Sequence, residues 1–220
     1  MTRTPFTDIK TALTRCFASQ AKAVEDWHLR APDFPDDVPE VPDIEDAADI
    51  ALLEDLVLRQ HAVNFDLWHV EDRARRTDVD DAVIAECKRT IDGLNQRRND
   101  LIERVDACLV ALIAPHLPED ASARRNTETI GSAADRMSIM ALKVFHLAEQ
   151  ACRDDAAPDV CAECREKEAT MRAQRADLEQ CVLELVDEYA AGTKRPKVTY
   201  QFKMYNDPRL NPELQRAGKP

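Results

Sequence analysis

Apolar residues recur three and four positions apart along most of the chain, the period of helices with one buried face. Ile9, Leu13, Phe17, Val24 and Trp27 fall near one side, and the spacing predicts a first helix over 8–29 capped by Asp8. Four prolines between Pro32 and Pro42 interrupt the pattern, because each removes a backbone donor and restricts the residue before it. An extended connector over about residues 31–45 is expected there. A second helix follows from Ile44 or Asp46 to Arg76, and a third from about Asp78 to Pro115. A fourth runs from Asn126 to Arg153, with Asn126 or Thr127 as cap. A fifth covers 158–191, with Pro158 in its first turn and Gly192 at its end. Long helices joined by short loops pack as antiparallel neighbours. The pattern predicts an all-α antiparallel bundle of about five long helices, one domain over residues 1–192, with an extended arm over 193–220. Lys197–Tyr205 reads as a short strand within that arm.

Polar residues interrupt two of the apolar stripes. On the second helix, Leu53, Leu56, Val57, Val63, Leu67 and Trp68 define an apolar arc. Asn64 and Glu71 fall inside it, Arg75 at its edge, and His61 and Asp72 beside Trp68. On the third helix Arg98 lies within the stripe, Asn95 at its border and Asn99 just outside. A charge on an apolar stripe needs a partner or costs several kcal/mol in lost hydration. The economical arrangement pairs Glu71 with Arg98 and completes the network with Asn64 and Asn95. That network is either a polar lock that fixes helix register or the lining of a pocket between helices. The fourth helix offers Asp135, Lys143 and His146 on one polar face, which is either solvated or turned toward the same pocket.

Charge and composition narrow the classes. The 220 residues carry a formal net charge of −12, which argues against a nucleic-acid binder. The excess is uneven. Asp33–Asp49 contains no base, whereas the arm holds seven bases against two acids. Only 4 glycines are present, and neither a dinucleotide-binding nor a P-loop glycine pattern occurs. No apolar run reaches the roughly 18 residues of a membrane span. The opening MTRTPFTDIK lacks a signal-peptide core, so a cytoplasmic location with free thiols is expected. The 7 cysteines include Cys161 and Cys164 in a CxxC, with Cys152 upstream. These three are the nearest approach to a zinc ligand set, but no second CxxC completes it, and no metal is assigned.

At His61-Ala-Val-Asn64-Phe65-Asp66-Leu67-Trp68-His69-Val70-Glu71-Asp72-Arg73-Ala74-Arg75 the chain resembles a bacterial family known as a domain of unknown function. Its pattern is HxxNFxLWHxEDxAR. Three further blocks follow it: KRxIDxLNQxRNDxIE over Lys88–Glu103, NTETIGSxxDRxSIMxLKxxH over Asn126–His146, and KMYNDPxLNP over Lys203–Pro212. The resemblance spans most of the chain. It implies an all-helical cytosolic protein in the setting of envelope-glycan genes, and no activity. The CxxC is not part of it.

Several chemistries fit these residues unequally. A di-iron bundle needs two ExxH motifs; Glu25–His28 is one, while His69/Asp72 and His146/Glu149 share only the spacing, which leaves a mononuclear or irregular metal site, and with it a metal-dependent helical-bundle enzyme, as an alternative. The Lys88–Arg98 segment is loosely like the arginine-bearing helix of a helical mutase. A nucleophilic serine elbow is missing. The leading expectation is a small-molecule site for a phosphorylated or glycan-related metabolite. Arg75, Arg98 and Lys143 would hold phosphate, and Trp68 would stack on a sugar. Glu71 or Asp72 would act as base, with His69 oriented by Asp72. No pattern specifies a cofactor. The contrasting expectation is a non-catalytic interaction protein whose acidic connector and basic arm contact an enzyme partner or a second copy.

Overall fold

A computed structural model describes residues 5–34, 49–204 and 207–217. Its helices are α1 (Pro5–Leu29), α2 (Ile50–Ala74), α3 (Asp81–Ile113), α4 (Ile130–Ala151), α5 (Pro158–Ala190) and the short α6 (Pro212–Ala217). A 3-10 turn at Ala114–His116 ends α3. Among the described residues there are no strands. Among the same residues no helix is long and apolar enough to cross a membrane. The fold is the expected all-α bundle.

Several helix ends have a local cause. Asp49 caps α2, its carboxylate accepting from Ala51 N at 3.1 Å, so the helix starts later than Ile44 or Asp46. Most of the expected acidic connector lies outside the described residues. Thr129, not Asn126 or Thr127, caps α4: its hydroxyl accepts from Ser132 N at 3.1 Å. Proline opens α5, and Gly192 closes it at φ 69°, in the left-handed region that glycine favours. The strand expected over 197–205 does not form at its described positions. A lone extended segment has no neighbouring strand to complete a ladder. Its groups bond to the bundle instead, Gln201 N to Glu103 Oε1 at 2.7 Å and Lys203 Nζ to the Asn95 carbonyl at 2.9 Å.

Packing places α2 at the centre of what matters. It lies against α1, α3 and α4, while α5 rests on α4 and α1. The main core gathers Leu13, Phe17, Leu53, Leu56, Leu101, Leu109 and Met137, each fully buried or nearly so. A second core of Val24, Phe65, Ala141 and Leu142 is flanked by Trp27, Trp68 and Phe145. The candidate site lies beside this second, aromatic core.

Candidate functional site

Three helices meet at Asp135 of α4, which is 6% exposed. Its Oδ1 accepts from Asn64 Nδ2 at 3.0 Å, from Arg98 Nε at 2.8 Å, and from Gln60. Its Oδ2 accepts a second bond from the same guanidinium. The carboxylate is thus satisfied by four donors from α2 and α3, as a buried charge requires. The pairing raises the pKa of Arg98 against the effect of its burial. Beneath it, Asn64 also donates to Ser138 Oγ at 2.9 Å, and His61 Nδ1 lies 2.7 Å from the same hydroxyl. Burial drives the His61 pKa down to about 3, so the ring is neutral.

This corrects the pairing expected from sequence. Arg98 bonds to Asp135, not to Glu71. Glu71 accepts from Arg75 one turn along its own helix, at 2.9 Å. Helical periodicity marks a displaced charge but carries no information about which helix faces it. Asn64 belongs to the Asp135 cluster, whereas Asn95 stands apart from it and offers its carbonyl to Lys203.

Outside the Asp135 cluster is a cavity of about 410 Å³, lined by Asn64, Leu67, Trp68, Glu71, Asp72, Arg75, Asn95, Arg98, Ile139 and Leu142. Its volume falls within the roughly 300–1,000 Å³ range of ligand pockets. Seven candidates from the sequence line it: Asn64, Trp68, Glu71, Asp72, Arg75, Asn95 and Arg98. Asp135 supports it from behind. The remaining candidates, His61, His69, Asn99 and Lys143, are not in the lining. His61 is buried against Trp27, with ring centroids 4.9 Å apart. Lys143 is exposed and Asn99 half-buried. His69 turns toward α1 and α4, its Nδ1 2.8 Å from the Phe65 carbonyl, so its hydrogen bond is not with Asp72.

Gln60 and Ser138 were missed. Gln60 precedes Asn64 by one helical turn and Ser138 follows Asp135 by three residues, so helical spacing carried the signal. The cysteines do not converge. Cys161 is buried with its thiol against the carbonyls of Gln150 and Arg153, at 3.8 and 3.6 Å, while Cys152 is exposed. Among the described residues the group with metal-ligand proximity is His28, His69 and His146.

The aromatic core ties that histidine group to the cavity. Trp68 lines the cavity and stacks on His146, with centroids 4.6 Å apart and planes 8° apart. No curated protein and no solved structure matches the chain. A model of the family described as "Protein of unknown function (DUF4254)" matches residues 54–198. That stretch runs from α2 through α5 and takes in every residue of the cavity lining, and the chain belongs to this family of proteins of unknown function.

Proposed function

We propose that this chain is a cytoplasmic helical-bundle protein, one domain over residues 1–192 with a basic arm, that binds a glycan-related metabolite in the α2–α3–α4 cavity. The observation that carries this reading is the lining itself. One aromatic ring, two carboxylates, two amides and two guanidiniums converge on a single open cavity of about 410 Å³. Stacking on Trp68 and hydrogen bonds from paired polar groups suit a hydroxylated ring. Glu71 and Asp72 are the candidates for accepting hydroxyl protons. The charge balance favours the sugar over the phosphate. Arg98 is held by Asp135 and Arg75 by Glu71, so neither guanidinium stands ready for a dianion. An envelope-glycan setting agrees with this chemistry.

The lock and pocket readings divide the polar residues between them. Gln60, His61, Asn64, Asp135 and Ser138 form a closed network that fixes register. Trp68, Glu71, Asp72 and Arg75 stand on its open side, with Trp68 also packed on the aromatic core. The test is a thermal-stability screen of the full chain against free sugars, sugar phosphates and nucleotide-sugars. At about 100 times Kd, a ligand should raise Tm by roughly 5–10 °C. Trp68→Ala and Asp72→Asn should abolish the shift, Asp72→Asn with the unliganded Tm nearly unchanged and Trp68→Ala with a lower one, because its ring packs on the aromatic core. A shift that survives both variants overturns the reading, as does no shift across the screen. The latter result, with Trp68→Ala still functional in cells, would favour the interaction-protein alternative.

A further inference from the structure

Three imidazoles from three helices converge beside the cavity. His28 comes from the end of α1, His69 from α2 and His146 from α4, and one ring nitrogen of each lies within 4.8 Å of the others. In all three, Nδ1 already has an acceptor. His28 Nδ1 is 2.6 Å from the Val24 carbonyl, and His69 Nδ1 is 2.8 Å from the Phe65 carbonyl. His146 Nδ1 is 2.8 Å from Glu149 Oε2. A carbonyl or carboxylate can only accept, so each Nδ1 carries the proton. The neutral ring then presents the Nε2 lone pair, the tautomer of a metal-ligating histidine with its outer partner in place. His146 Nε2 is buried and has no hydrogen-bond partner in the protein.

We infer that His28, His69 and His146 form a binding site for one divalent transition metal ion, Zn²⁺ being the natural occupant, held by the three Nε2 atoms with a fourth position left to water. Three neutral nitrogen donors suit Zn²⁺ and its neighbours rather than Mg²⁺ or Ca²⁺. Tetrahedral coordination with bonds of about 2.0–2.1 Å sets the nitrogens roughly 3.3 Å apart, which small side-chain rotations reach from the present spacing. Phe65 and Phe145 pack on the rings, with His28 stacked on Phe145 at 4.2 Å between centroids. His28 and His69 are exposed, so the ion has an entry path and an open side. The site shares no residue with the cavity lining, and Trp68 separates the two. The inference therefore stands independently of the proposed ligand.

The test uses the full chain without an affinity tag, stripped with a chelator and titrated with Zn²⁺, then with Co²⁺, whose tetrahedral complexes absorb in the visible. One equivalent should bind with a saturable spectrum. His69→Gln and His146→Gln should each weaken binding by at least 100-fold, with helicity by circular dichroism unchanged. Glu149→Gln, which touches only the outer side of His146, should weaken it by about 10-fold. Replacing Cys152, Cys161 and Cys164 together by serine should leave it intact. No stoichiometric binding, binding that survives the histidine variants, or binding lost with the cysteines overturns the inference. Running the sugar screen on the stripped protein keeps the two readings separately testable.

Discussion

His61 and Asp106 are buried ionisable residues that act on stability with opposite sign. Burial lowers the His61 pKa to about 3, the Gln20 carbonyl and Arg175 being lesser influences. Burial raises the Asp106 carboxyl to about 6, opposed by hydrogen bonds from Thr129 and Gly131 N. Unfolded His61 takes up a proton below about pH 6.5 that the folded ring refuses, so its contribution is present above that pH and lost as pH falls toward 3. Folded Asp106 holds its proton more tightly than the unfolded residue does. Its contribution is complete below about pH 3.9 and lost as pH rises through about 6. Over roughly pH 4–6 the two slopes cancel. Asp106→Asn should remove one of them, steepening the loss of stability toward acid by about 1.4 kcal/mol per pH unit relative to the parent. Urea unfolding from pH 4 to 6 measures this, and parallel curves would refute it. His61→Gln should tilt the profile the other way. Neither residue's burial was legible beforehand. Periodicity around one helix axis carries no sign of a second helix closing over Asp106 or His61. Arg98 was legible as a misplaced charge for the complementary reason: its own helix made it anomalous.

Element positions were largely legible, since hydrophobic period and proline punctuation act within one segment. Where boundaries moved, a tertiary contact moved them. The start of α4 illustrates this. Asp106 of α3 accepts from Gly131 N at 2.7 Å and so satisfies an otherwise orphaned donor at the helix N-terminus. α3 comes so close that a Cβ on Gly131 would sit 2.6 Å from Asp106 Oδ1 and 2.7 Å from the Ile102 carbonyl. Backbone cannot yield at that distance. Gly93, within α3, has nothing within 4 Å of such an atom. Helix propensity alone favours alanine over glycine by about 1 kcal/mol. Gly93→Ala should therefore stabilise by up to about 1 kcal/mol, whereas Gly131→Ala should destabilise by about 1–3 kcal/mol through overpacking. Denaturation midpoints give both values. Equal signs would mean that α4 can slide away from α3, and the stated packing would be wrong.

At the scale of the molecule, burial is distributed unequally among the long helices, which bears on how firmly the cavity is held. α2 buries residues at almost every turn from Leu53 to Val70. α5 buries Cys161 near its start and then none until Val182. Over that span it is supported by ion pairs within the helix, Lys167 to Glu163 and Arg172 to Glu168, and such surface pairs contribute little. Arg165 and Arg175 tie it to its neighbours: Arg165 to the Ala151 carbonyl at 3.0 Å, and Arg175 to the carbonyls of Phe17 and Met137. Burial of Arg175 lowers its pKa, so these ties are made by a charge with a desolvation cost. Local opening needs free energy in proportion to the contacts broken. The first half of α5 should therefore open well before the helices that wall the cavity. Native-state hydrogen exchange should show residues 162–178 exchanging through sub-global opening, while α2 from Leu53 to Val70 and α3 from Leu101 to Leu109 exchange near the global unfolding limit. Equal protection across α5 and α2 would refute this. The expected gradient means that the Asp135 cluster, the cavity and the three converging histidines belong to elements packed directly on one another. A ligand would then meet a preformed site, and its binding enthalpy would not be offset by ordering the helices around it.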